Sequence, residues 1–139
     1  MKEIKKMKTN KNIAVVGSRS FSNVDMFVKA INEIILIEGT PKTIVSGGAS
    51  GADTLAYNWA TENNIGTLIF EPRYSDFPKK TRKWEAPKER NTTIVENSDV
   101  VIAFWDMKST GTKDTIDKSV KKGNKVYIYN IVNNEITVL

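Results

Sequence analysis

The chain has 139 residues, 40% hydrophobic and 27% charged, with a net charge of +5, the balance of a soluble globular domain long enough to bury one core. It contains no Cys and no His, which excludes disulfides, thiol nucleophiles, thiolate metal sites and every form of imidazole acid–base catalysis, Ser-His-Asp and Cys-His included. No apolar run nears the roughly twenty residues of a membrane span, and the Lys-rich start lacks the apolar core of a signal peptide, so a cytoplasmic protein with no membrane partner is expected.

Residues 1–11, with five Lys and one Glu, read as a flexible basic tail, and residues 12–139 as the domain. Asn12–Val16 is a short β-rich run that ends in the turn Gly17-Ser18-Arg19. Ser22-x-x-Asp25 has the form of a helix cap, after which Val24, Phe27, Val28, Ile31, Ile34 and Ile35 recur at helical spacing until Gly39. Thr43–Ser46 is a second strand. It runs into Gly47-Gly48-Ala49-Ser50-Gly51-Ala52-Asp53, and a second helix follows from about Gly51 to Asn63.

Thr67–Phe70 is a third strand. Glu71–Pro87 is irregular, polar and long for a connector. Pro87 suits the first turn of a helix reaching about Asn97, and Asp99–Phe104 is apolar almost throughout, as a strand buried on both faces is. The turn Trp105–Thr112, a helix over Lys113–Lys122 and a strand over Lys125–Tyr129 come next, before a hairpin into Ile136–Leu139. Strands alternating with helices imply a single α/β domain. Its sheet is mostly parallel with helices on both faces, and an antiparallel strand forms the C-terminal edge.

In such a sheet a ligand binds at the carboxyl ends of the strands, where the strand order reverses. Three turns fall on that edge: Gly17-Ser18-Arg19, Ser46–Asp53 and Trp105–Thr112. Together they offer backbone N–H groups, hydroxyls and helix N-termini, which suit phosphate or ribose phosphate. Arg19 adds a fork of donors for an anion. The glycine-rich turn has two readings, an anion cradle or a tight turn in which Ser50 and Asp53 cap the second helix. Thr110 or Thr112 caps the helix after Ser109, or the stretch Ser109-Thr110-Gly111-Thr112 holds a second anionic group. Trp105 either stacks on a base, with Asp106 bonding ribose or base edge, or packs into the core. Arg90 and Asn91, beside a basic stretch Pro78–Arg90 that includes Arg82, Lys83 and Lys88, are placed to reach the same edge.

Four stretches resemble the SLOG superfamily, and within it the small proteins related to YspA and YpsA. They are Gly17-Ser18-Arg19 with Phe21, then Val45–Asp53 with Leu55-Ala56, then Arg90-Asn91, and finally Ile102–Asp106 with Lys108–Thr112. The resemblance implies a Rossmann-like, three-layer fold that binds nucleotides or nucleotide-derived ligands, often as a homo-oligomer. By that similarity Gly17, Ser18, Arg19, Gly47, Gly48, Asp53, Arg90, Asn91, Ser109, Gly111 and Thr112 line the site. Ser46, Ala49, Gly51, Trp105, Asp106 and Thr110 join them from the turns themselves. Two stretches depart from the family pattern: Met107 stands where glycine is common, and Glu71–Phe77 lacks an Ala-Asp-Trp.

The resemblance leaves three functions open. One is a sensor or sequestering protein that holds a nucleotide-type ligand, needing no cofactor or metal. Another is a LOG-like hydrolase of the nucleotide N-glycosidic bond, for which Asp114 is the carboxylate at the required spacing. The last is a DprA-like binder of single-stranded DNA. The residues outside the two basic segments carry a net −3, which argues against nucleic acid as the partner.

Overall fold

The computed structural model describes residues 9–76 and 85–139. Arg82 and Lys83, most of the basic stretch, and residues 1–8 of the expected tail lie outside them. Six strands form one sheet: β1 (Asn12–Gly17), β2 (Thr43–Ser46), β3 (Gly66–Ile69), β4 (Val100–Trp105), β5 (Lys125–Asn130) and β6 (Glu135–Val138). Four helices connect them: α1 (Val24–Glu38), α2 (Ala52–Glu62), α3 (Glu85–Glu96) and α4 (Thr110–Lys122). The strand order is β3-β2-β1-β4-β5-β6, with every pair parallel except β5–β6. The expected α/β architecture and its antiparallel edge are therefore both present.

Alternate residues of each strand face opposite sides, so the sheet needs two apolar coverings. On one side Ile13, Val15, Ile102, Phe104 and Tyr127 pack with Phe27, Ile31 and Ile34 of α1 and with Ala56 and Trp59 of α2. On the other, Ala14, Val16, Val101 and Ala103 pack with Ile94 of α3 and Ile116 of α4. The central strand β4 is buried from Val100 to Phe104, as its unbroken apolar run requires. β3 is an edge strand, and Leu68 and Ile69 on its opposite faces are exposed.

Helix starts differ in detail from the expected caps. α1 is capped by Asn23, whose Oδ1 accepts from the Met26 N–H at 3.1 Å, and not by Ser22. Asn accepts this bond as readily as Ser, and with the helix starting one residue later Val24 lies outside the apolar face, 55% exposed. Within the segment expected as tail, the Thr9 N–H donates to the Thr40 carbonyl and Lys11 Nζ reaches Glu38 at 2.9 Å.

Glu38 anchors the amino end of the sheet. Its carboxylate ends α1, where the helix dipole disfavours negative charge, and it is held by Lys11, by Lys125 at 2.9 Å and by the Tyr127 hydroxyl. Burial alone raises this carboxyl, but the hydrogen bonds from Tyr127, Lys11 and Lys125 outweigh it and bring it from 4.5 down to about 2. Among the described residues no helix is long and apolar enough to cross a membrane.

Candidate functional site

The strand order reverses between β1 and β4, the adjacent strands whose connections leave in opposite directions. At their carboxyl ends Gly17 pairs with Phe104, which brings the Ser18 turn beside the Asp106 turn. The Ser18 Oγ accepts from the Asp106 N–H at 3.1 Å and lies 3.2 Å from the Ser109 Oγ. Asp106 in turn accepts from the backbone N–H groups of Ser109 at 2.7 Å and Lys108 at 2.9 Å. Those amide bonds, Ser109 first, pull its carboxyl below the usual range. Asp106 therefore fixes the loop that launches α4. The loop passes through Met107 at φ +68°, the left-handed region that a Cβ disfavours and glycine accepts.

The glycine-rich turn closes on itself. Asp53 is buried, and its Oδ2 accepts from the N–H groups of Gly47 at 3.2 Å and Ala49 at 3.1 Å. Burial pushes the Asp53 carboxyl up, against the pull of the Ala49 amide and of Arg90. Neither Ser50 nor Asp53 caps α2 in the expected way, since the helix starts at Gly51 without a side-chain cap. Gly51 takes φ +79°, and a Cβ there would run into the carbonyl oxygens of Ser18 and Arg19. At Gly47 a Cβ would meet the Arg90 guanidinium instead, so a larger residue there displaces that side chain.

Arg90 knits the turns together from α3. Its Nη1 donates to the Gly47 carbonyl at 2.7 Å and its Nε to the Asn91 Oδ1 at 3.0 Å, while the Asn91 Nδ2 donates to the Gly111 carbonyl at 3.3 Å and to Asp114 at 3.1 Å. Burial lowers the Arg90 guanidinium and Asp53 opposes that shift, yet a guanidinium stays charged in any such site.

These contacts enclose a cleft of about 480 Å³, within the range of small-molecule sites. Gly17, Ser18, Arg19, Ala49, Asp53, Arg90, Asn91, Asp106 and Ser109–Thr112 line it. Gly47 and Gly48 open instead onto a second cavity of about 260 Å³, which meets the first at Arg19, Ala49 and Arg90. Gly47, Arg19 and Gly111, read from three separate turns, thus border one connected region. Four expected site residues line neither cavity. Ser46 is buried and Gly51 is packed against Ser18 and Arg19. Trp105 packs on the apolar cluster under α3 and α4 and donates its Nε1–H to the Ser109 carbonyl at 3.0 Å. Asp114 is paired with Lys118 at 2.8 Å.

Ser20, Pro87 and Thr115 line the first cleft and Glu71, Pro72 and Tyr74 the second, and none was singled out from sequence. Pro87 and Thr115 lie one helical turn from Arg90 and Gly111, so helical spacing was the available signal.

The cleft has one strong anion-binding element. α4 opens there behind Ser109 with no side-chain cap and no acidic residue in its first turn, so the Thr110, Gly111 and Thr112 amides and the positive end of the dipole face a space flanked by Arg19 and Arg90. The start of α2 is different, because Asp53 lies in its first turn and takes up the neighbouring loop amides. Among the described residues no group of three or more acidic side chains could hold a metal ion.

The family model described as YspA, cpYpsA-related SLOG family matches residues 11–77. Among solved structures, DNA processing protein A from Streptococcus pneumoniae superposes with a TM-score of 0.63 at 24% identity, over 91% of this chain and 51% of that one. The single-stranded-DNA-binding DNA processing protein A from Helicobacter pylori gives 0.60 at 21%, over 92% and 68%. The chain thus spans about half the length of the pneumococcal protein. No curated protein matches it. The family model thus supports the likeness to the SLOG superfamily over residues 11–77, a little under half of the chain, and the Rossmann-like fold shared with the two DNA processing proteins extends over about nine-tenths of it.

Proposed function

We propose, with a SLOG-type fold as the premise, that this protein binds a nucleotide or nucleotide-derived small molecule. The phosphate lies at the start of α4 between Arg19 and Arg90, and the protein acts as a sensor or sequestering protein. The observation that carries the reading is the start of α4, which enters the cleft with no side-chain cap and no acidic residue in its first turn, beside Arg19 and Arg90, whereas α2 carries Asp53 in its first turn. No cofactor takes part; the nucleotide is the ligand. Binding without turnover is supported by the state of the two cleft carboxylates, since Asp53 and Asp106 each accept two backbone N–H bonds that hold them in structural roles. Asp114, the residue a hydrolytic reading needs, is engaged by Lys118 and Asn91 outside the cleft lining.

Titration calorimetry with inorganic phosphate and the common nucleoside monophosphates tests this. Binding is expected, together with at least a tenfold loss in Thr110→Asp, which places a negative charge at the exposed first position of α4 while the circular dichroism spectrum stays unchanged. Failure of every phosphorylated nucleoside to bind removes the proposal.

A second reading is favoured by the likeness to the Helicobacter pylori protein, whose structure concerns single-stranded DNA: the same edge binds the backbone of a single strand. Oligo-dT anisotropy at low and moderate salt separates the two, because a strand-binding surface loses affinity steeply as salt rises.

A further inference from the structure

We infer that the second cavity receives the base of the nucleotide, and that Glu71 selects bases bearing an exocyclic amino group. This rests on the nucleotide reading above and adds the base end of the ligand to it. The second cavity meets the phosphate cleft at Arg19 and Arg90, so a ligand whose phosphate is held there extends naturally into it.

The two cavities share Arg19 and Arg90 but differ beyond them. In the second, the Gly47 and Ala49 amides are already spent on Asp53, and the one carboxylate side chain among its described lining residues is Glu71, an acceptor when ionised. Among the described residues Glu71 has neither a hydrogen bond nor an ion pair. Its side chain rests on Gly48, where a Cβ would stand 3.2 Å from the Glu71 Cγ and 3.4 Å from its Oε1. A carboxylate held in that way repels a second phosphate and accepts from N–H donors.

Tyr74, 45% exposed, and Pro72 supply flat apolar surface on the same cavity, suited to the face of an aromatic base. Exocyclic amines of guanine, adenine and cytosine donate to a carboxylate. Hypoxanthine and uracil carry a carbonyl or nothing at those positions, and a carbonyl set against Glu71 is unfavourable.

Calorimetry on the full chain with GMP, AMP and IMP, with CMP and UMP, and with inorganic phosphate decides the matter. IMP is expected to bind about tenfold or more weaker than GMP and AMP, and UMP weaker than CMP by a similar factor, the scale of one hydrogen bond to a charged group. Glu71→Ala levels these differences, while inorganic phosphate, which has no base to place in the second cavity, still binds. Glu71→Gln, which presents a donor as well as an acceptor, shifts preference toward UMP and IMP. Equal binding of GMP and IMP, or selectivity that survives Glu71→Ala, overturns the inference while nucleotide binding stands. If neither phosphate nor any nucleotide binds, the nucleotide reading falls and takes the inference with it.

Discussion

Replacing Glu38 by Gln isolates the charge that ties the amino end of the sheet together. The surrounding hydrogen bonds hold the carboxyl at about 2 in the folded protein, against 4.5 for an ordinary glutamate. A carboxylate with a depressed folded value contributes stability that is fully present above the unfolded value and lost as pH falls toward the folded one. At about 1.4 kcal/mol per unit the difference amounts to about 3 kcal/mol at neutral pH. The Glu38 side chain is only 3% exposed, so solvent screens it little, although its lysine partners stand half in water. Urea unfolding of wild type and Glu38→Gln at pH 6, 4 and 3 measures the effect directly, and titrations common to both proteins cancel. The stability gap between them is expected to be about 3 kcal/mol at pH 6 and to shrink by roughly 2 kcal/mol by pH 3. A gap that stays constant across this range would show that the loss comes from packing and that the ion cluster contributes no net charge stabilisation.

Asp53→Asn keeps an acceptor for the Gly47 and Ala49 amides and removes one negative charge from the cleft wall. Affinity for inorganic phosphate is expected to rise about fivefold by calorimetry, and an unchanged or lower affinity would place the anion away from Asp53. Gly51→Ala forces a Cβ onto a residue at φ +79° and against the Ser18 and Arg19 carbonyls, so denaturant unfolding should show a loss of at least about 2 kcal/mol. Met107→Gly relieves a left-handed residue whose side chain is half exposed. Stability is expected to rise by up to about 1 kcal/mol, the left-handed cost less the backbone freedom glycine must lose. A net loss would show that the Met107 side chain contributes packing.

The sequence by itself determined the α/β alternation and the placement of the three turns on one edge of the sheet, because hydrophobic period, glycine stops and cap residues act within a few neighbours along the chain. Arg19, Gly47 and Gly111 were legible as members of one region for the same reason. What only the tertiary structure decided is which turn is left open for an anion. Asp53 reads from sequence as a ligand contact or as half of a helix cap, yet it folds back onto the loop amides; Trp105 reads as a base-stacking ring or, more often, as core, and it packs on the apolar cluster with its edge bound to the Ser109 carbonyl. Arg90 reaches a carbonyl 43 positions away, and the second cavity forms only once Glu71 and Tyr74 are brought beside Gly48. Buried donors and acceptors must be satisfied by whatever group the fold brings near, and that assignment depends on contacts between distant segments that local pattern does not encode.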